Sequence, residues 1–430
     1  MTRHSLATRL LTTALAAAAV ALPAAASADH HSHNGTTMNH QHQAAPMIPR
    51  DALFGNPTRA AGQISPDGKW LSWLAPRDGV LNLWLAPVGQ PDAGKPMTDA
   101  KDRPIRQYFW SPDSRSLLYI QDKGGDENFL LYGVNIATGQ ETTLTPFENT
   151  RVQLVGGSES IRDKLLVGLN NRNPQFHDVH LLDLNTGQLT LVLQNDSYAG
   201  FMADDTLTVR MAMRQNAAGG TDYFRVVDGK VEAEPFSTSA MEDSLTTNPA
   251  GYTTDGKTLY WIDSRGRNTA ALFAEDVATG ARKLIAESAR ADIGETLRDP
   301  KTGEVEAYAV EYLTTEWTAT DPEMQAALAF LDSKLEGEFG VQSRTQDDSK
   351  WIVWNDPLTA PTATYIYDRK AGTLTHFYTT RPELEGAPLQ PMHPVEIASR
   401  DGLTLPSYLT LPPGSDADGD GKPEKAVPMV

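Results

Sequence analysis

Four small groups of side chains in this sequence are of types that do chemistry. Asp126-Glu127-Asn128 sets two carboxylates and a carboxamide side by side. Acidic groups in a turn can hold a free α-amine through charge-assisted hydrogen bonds. The same residue types equally satisfy the backbone amides of the turn itself. Arg265 and Arg267 flank Gly266; such guanidinium groups grip a peptide carboxylate bidentately or pair with an acid on a neighbouring element. His30, His31, His33, His40 and His42 are half of the ten histidines. Imidazoles in such a tract can chelate zinc, copper or nickel, although no carboxylate or rigid element pins these. Asp416-Ala417-Asp418-Gly419-Asp420 begins like a calcium loop, but Val427 stands where the bidentate Glu belongs, so a solvated turn is expected.

Other chemistry is excluded or disfavoured. There is no cysteine, hence no disulfide scaffold, no Cys-ligated metal and no thiol nucleophile. His177 and His180 share one strand-like run; a spacing of three on a strand points them to opposite faces, so they read as structural polar groups, as do the isolated His376 and His393. The chain carries 55 acidic and 37 basic residues for a net charge of −18, which argues against nucleic acid, whose partners are basic. No cofactor is expected.

The elements that must position these groups repeat. Turn glycines recur at Gly89, Gly139, Gly187, Gly229, Gly280 and Gly372, most of them in a Thr-Gly or Asp-Gly turn, with one degenerate unit between the last two. The mean spacing is about 47 residues, within the range of propeller blades. A second marker keeps the same phase: Ser65-Pro66-Asp67-Gly68-Lys69 returns as Ser111-Pro112-Asp113-Ser114-Arg115, as Thr253-Thr254-Asp255-Gly256-Lys257 and as Gln346-Asp347-Asp348-Ser349-Lys350. Each precedes a β-rich aromatic run such as Trp70-Leu71-Ser72-Trp73. The expectation is an all-β chain, a seven-bladed β-propeller over residues 48–390. Trp70, Trp73, Trp84, Trp261 and Trp351 are expected in its core between blades. The degenerate unit near 292–337 contains a short helix, apolar at Met324, Ala327, Leu328 and Leu331.

The ends differ. Residues 1–28 have a signal-peptide pattern, with Arg3 and Arg9, an apolar run from Leu10 to Leu22, and Ala26-Ser27-Ala28. Export to a bacterial periplasm or exterior is expected, with no membrane span once the signal is removed. Residues 29–47 are expected to form a His-rich disordered leader. Over 391–430 a hairpin is expected, with Asp401-Gly402 at its turn and the strands Pro394-Val395-Glu396-Ile397 and Leu403–Leu411.

Several segments resemble the N-terminal part of secreted bacterial prolyl-oligopeptidase-type (S9) serine peptidases, the acylaminoacyl- and dipeptidyl-peptidase-like branch. They are Ile64–Trp70, Gly124–Tyr132, Leu169–Val179, Asp263–Arg267 and Ser399–Pro406. The resemblance implies a propeller that admits only short peptides and a following α/β-hydrolase domain with a Ser-Asp-His triad, of which 391–430 would be the first strands. No Gly-x-Ser-x-Gly elbow and no His-Gly-Gly segment occur here, the nearest approach being Gly157-Ser158-Glu159-Ser160. Without the elbow and oxyanion donors the chain is expected to be a truncated, catalytically inert portion, with short peptides as substrates of the complete protein. The alternative is a non-enzymatic periplasmic propeller, a scaffold or peptide-binding module.

Overall fold

The computed structural model describes residues 47–427, so the signal-peptide and His-rich stretches lie almost wholly outside it. Antiparallel sheets follow one another along the chain, each built from consecutive strands. Blade 1 contains Ala60–Ile64, Trp70–Arg77, Val80–Pro87 and Lys95–Pro96. Blade 2 contains Tyr108–Trp110, Ser116–Gln121, Leu130–Asn135 and Glu141–Thr143. Blade 3 runs from Val152 to Leu193, blade 4 from Gly200 to Ser239, blade 5 from Asn248 to Ala286, blade 6 from Ile293 to Ala319 and blade 7 from Glu338 to Thr379. The result is a seven-bladed propeller. Met392–Ala398 and Thr404–Thr410 then pair as a separate hairpin.

The repeated turn explains why these residues start each blade in the same way. In blade 1 the Ser65 hydroxyl donates to Asp67 Oδ1 at 2.6 Å and accepts from the amide of Trp70 at 3.0 Å. Ser111 with Asp113, and Thr253 with Asp255, repeat the arrangement. Blade 7 repeats it with Thr345 and Asp347, and Thr345 Oγ1 accepts from Lys350 at 3.1 Å. That shifts the expected fourth marker by one residue: the hydroxyl that closes the turn belongs to Thr345, and Asp348 takes the left-handed position of Gly68, with φ 58°. In blade 6 the same turn is Asp299–Glu304, where Asp299 accepts from the amides of Lys301 and Thr302. Lacking the Ser-x-Asp pair, this unit hides from a sequence reading.

Blade 6 has three strands, and the helix Pro322–Asp332 follows where a fourth strand would lie. Asp321 caps it, accepting from the amides of Glu323 and Met324, and Pro322 supplies a preset φ at its first turn. Its buried side chains are Met324, Ala327, Leu328 and Leu331, and they pack with Leu297, Phe339, Val341 and Trp351 across blades 6 and 7.

The core lies between blades. Trp73, Trp261 and Trp351 are at most 2% exposed, and burying a large apolar side chain contributes roughly 1.5–3 kcal/mol. Trp70 and Trp84 are half-buried at the margins of such clusters. Trp261 meets Tyr223 of blade 4 edge-on at 5.0 Å, and Trp73 meets Phe377 of blade 7 at 5.6 Å. Among the described residues no strand is exchanged between the first and last blades. They are joined instead by Gly62 N–H to Tyr378 Oη at 2.8 Å, Ile64 N–H to Ser343 Oγ at 3.0 Å, and Gln346 N–H to the Pro66 carbonyl at 2.8 Å. A Cβ at position 62 would stand 2.9 Å from the Tyr378 ring, so this contact requires glycine.

Candidate functional site

Strand order fixes which loops share a face. In each blade the turn between the first and second strands lies on one face, and the turn between the second and third on the other. The Ser-x-Asp turns therefore face one way. The loops holding Asp126-Glu127-Asn128 (blade 2) and Arg265-Gly266-Arg267 (blade 5) face the other way. The hairpin marks that second face: Tyr408 Oη donates to the carbonyl of Tyr312, in the corresponding turn of blade 6, and Glu396 lies 3.7 Å from Arg290. Ile397, Leu405 and Tyr408 on the hairpin are 46–51% exposed.

The acidic turn of blade 2 is held from beneath. Asp122 is buried and receives Nε and Nη2 of Arg103 at 2.8–3.0 Å, and it also accepts from the Glu127 amide. Asp126 is spent largely on the turn: it accepts from the Asn128 amide and side chain and from the Lys123 amide. Those hydrogen bonds, from Asn128 first, hold its carboxyl below the usual range. Glu127 differs. Its φ is +58°, in the left-handed region where a residue with a Cβ is strained. Its side chain is exposed and makes no hydrogen bond or ion pair among the described residues. On the same face and in the same blade, Arg106 is exposed just before the inner strand, also without an ion pair among the described residues. Arg106 carried no sequence signal, because a lone arginine before a strand has no motif.

The two arginines of blade 5 are occupied. Arg265 binds Asp263 through Nε and Nη2 at 2.5–3.1 Å and donates to Ser237 Oγ at 2.6 Å. Arg267 pairs with Glu287 and donates to the Thr269 carbonyl. Blades 2 and 5 are three places apart in the ring, so the acidic and basic turns do not form one cluster.

The histidines offer no catalytic pair. Burial, reinforced by Arg151, pushes His177 down to about 4, so its imidazole is neutral at pH 7. Its Nε2 is buried with no hydrogen-bond partner among the described residues, which the expectation of a simple polar contact did not include. The adjacent Asp178 is committed to Arg172 at 2.6 and 2.8 Å. His180 Nδ1 lies 3.1 Å from the Asp178 carbonyl, and His376 Nε2 lies 3.2 Å from Thr379 Oγ1. Ser158 accepts from the amides of Ser160 and Ile161, and Ser160 donates to Asp205, all on the face away from the hairpin. Ligand atoms of Asp416, Asp418 and Asp420 come within 4.8 Å of one another, but Asp416 is already bound to the amides of Gly419, Asp420 and Gly421 and lies 3.2 Å from His393. The five candidate metal-binding residues, His30, His31, His33, His40 and His42, lie outside the described residues.

Comparison with known proteins fits this architecture. No family model matches the chain. It is 52% identical over 386 residues to the dipeptidyl aminopeptidase BIII of Pseudoxanthomonas mexicana, covering 89% of this chain and 56% of that protein. It is 27% identical over 389 residues to the dipeptidyl peptidase family member 6 of Caenorhabditis elegans, covering 86% and 52%. The chain thus spans about half the length of these curated relatives. Among solved structures, a prolyl endopeptidase superposes with a TM-score of 0.58 at 12% identity, over 83% of this chain and 54% of that one. A puromycin-hydrolyzing peptidase of Mycobacterium tuberculosis gives 0.57 at 13%, over 85% and 60%. At such identities the structures speak to the fold alone.

Proposed function

Because the chain belongs to the prolyl-oligopeptidase-type (S9) peptidases and supplies their seven-bladed propeller, we propose that it selects and orients short peptides for hydrolysis, holding their free α-amine at the acidic turn of blade 2. The observation that carries this reading is Glu127. It is an exposed carboxylate with no partner among the described residues, held at φ +58° beside the buried Asp122, which Arg103 pairs. A carboxylate of that kind is available to an ammonium group, and strained residues of this sort gather at functional positions. Asp126 and Asn128 shape the turn, and Asp126 adds a second negative charge. The similarity to a dipeptidyl aminopeptidase supports a substrate class with a free N-terminus.

We propose further that these 430 residues hydrolyse no peptide bond by themselves. They contain no Gly-x-Ser-x-Gly elbow, and among the described residues His177 is neutral at pH 7 and its Nε2 has no hydrogen-bond partner. We also propose export from the cytoplasm, on the pattern of residues 1–28. Among the described residues no helix is long and apolar enough to cross a membrane. The test is calorimetric binding of Ala-Ala-Ala-amide and its N-acetylated form to the purified chain. The free amine should bind more tightly, and equal binding of the two would refute the assignment.

A further inference from the structure

On the face away from the hairpin, the inner strands of blades 2 to 6 line an open cavity of about 220 Å³. Phe109, Trp110, Leu154, Val155 and Met202 give it apolar walls. Arg298, the last residue of the inner strand of blade 6, also lines it and is only 8% exposed. Its Nε donates to the Gly303 carbonyl at 2.7 Å, Nη1 to Ala250 at 2.9 Å and Nη2 to Tyr252. The Tyr260 ring lies 5.6 Å away. These partners are neutral, and the three bonds leave two of the five guanidinium N–H groups. A buried cation is costly unless an anion compensates it. Burial accordingly pushes Arg298 down to about 10, which still leaves it charged at pH 7.

The next blade provides an internal comparison. Arg344 ends the inner strand of blade 7 as Arg298 ends that of blade 6, and its Nη1 likewise donates to a carbonyl of the preceding blade, that of Arg298. Arg344, however, pairs with Glu306 at 2.8 Å and with Asp348. The strand registers locate the difference. Arg344 stands opposite Trp351, Arg298 opposite Val305 and Tyr252 opposite Leu259. The residue after Val305 is Glu306, and the residue after Leu259 is Tyr260. Tyr260 therefore occupies, for Arg298, the place that Glu306 occupies for Arg344. Blade 5 lacks the counter-ion that blade 6 supplies.

The acids lining the cavity are engaged elsewhere. Asp204 binds Arg210 at 2.6 Å, and Asp205 accepts from the Glu159 amide and the Ser160 hydroxyl. Glu159 lies 3.9 Å from Arg162, and Asp299 accepts from backbone amides.

We propose that Arg298 anchors a carboxylate ligand in this cavity, namely a short apolar peptide whose free C-terminal carboxylate meets the guanidinium while its side chains lie against Phe109, Trp110 and Leu154. The site is independent of the amine-holding turn, so its test uses N-acetylated probes. N-acetyl-Ala-Leu and N-acetyl-Ala-Leu-amide are titrated calorimetrically into the 430-residue chain. The acid should bind at least about tenfold more tightly than the amide, the effect of one hydrogen bond to a charged group. Arg298→Met should erase the preference. Tyr260→Glu, which installs the missing carboxylate, should erase it too while leaving the circular-dichroism spectrum unchanged. Equal binding of acid and amide would overturn the proposal, as would no binding of either at millimolar concentration, or an undiminished preference in a folded Tyr260→Glu. If Arg298→Met does not fold, the acid–amide comparison and the Tyr260 variant still decide.

Discussion

Replacing Glu127 with glycine separates strain from function. The residue sits at φ +58°, where a side chain costs about 1–2 kcal/mol. Glycine removes that cost but gives the unfolded chain more freedom, worth about 0.4–1 kcal/mol in the opposite direction. Among the described residues the Glu127 side chain makes no hydrogen bond or ion pair whose loss must be added. The balance is a stabilisation of roughly 0.5 kcal/mol, measurable as a higher urea midpoint at unchanged slope. Binding should move the other way. Losing a hydrogen bond to a charged group costs about 1.5–3 kcal/mol, so Ala-Ala-Ala-amide should bind tenfold or more weakly, with its N-acetylated form unaffected. Glu127→Gln keeps the backbone strain and loses the charge, so it should weaken the same peptide without gaining stability. A Glu127→Gly chain that is less stable, or one that binds the free amine as well as before, would refute the reasoning.

Further outcomes follow from the packing and the charges. Tyr378→Phe removes the hydroxyl that accepts the buried Gly62 amide across the ring closure, and should cost about 1–3 kcal/mol in urea unfolding. Asp321→Ala removes the cap of the 322–332 helix and should cost about 1 kcal/mol by the same assay. Stability should begin to fall below about pH 6.5, where the unfolded chain protonates His177 while burial keeps it neutral down to about 4 in the fold, and should fall further in acid. Lys257 and backbone bonds hold Asp255 down at about 2, and although burial opposes it, Arg265 and Arg282 hold Asp263 below the usual range. Carboxylates depressed by folding stabilise above their unfolded pKa near 3.9 and lose that contribution as pH falls through the folded value. An acid titration followed by circular dichroism checks this, and a chain equally stable at pH 2 and 7 would contradict it.

Much of the fold was legible because its signals are local. The Ser-x-Asp turns and turn glycines recur within one blade, and the helix face at Met324, Ala327, Leu328 and Leu331 follows from its own spacing. The hairpin at 392–410 was equally plain from its Asp-Gly turn. What escaped depends on pairs distant in sequence. The one-residue shift at Thr345 follows from which hydroxyl reaches Asp347, and the blade 6 turn at Asp299 lacks the marker altogether. The acidic turn was visible as a sequence of acids, but nothing in it distinguishes Asp126, bound to its own turn, from Glu127, which is not. The arginines of blade 5 looked equally available, yet Asp263 and Glu287 occupy them, and these pairings need the folded neighbours. Arg298 carried no signal at all, because its significance is a counter-ion missing from the adjacent blade.

The proposed function has these residues bind peptides without cleaving them by themselves. Its most direct measurement is release of p-nitroaniline from Ala-Ala-p-nitroanilide by the purified 430-residue chain. The account predicts no release above buffer under conditions where Ala-Ala-Ala-amide binds. Turnover that a serine-directed fluorophosphonate abolishes would contradict it.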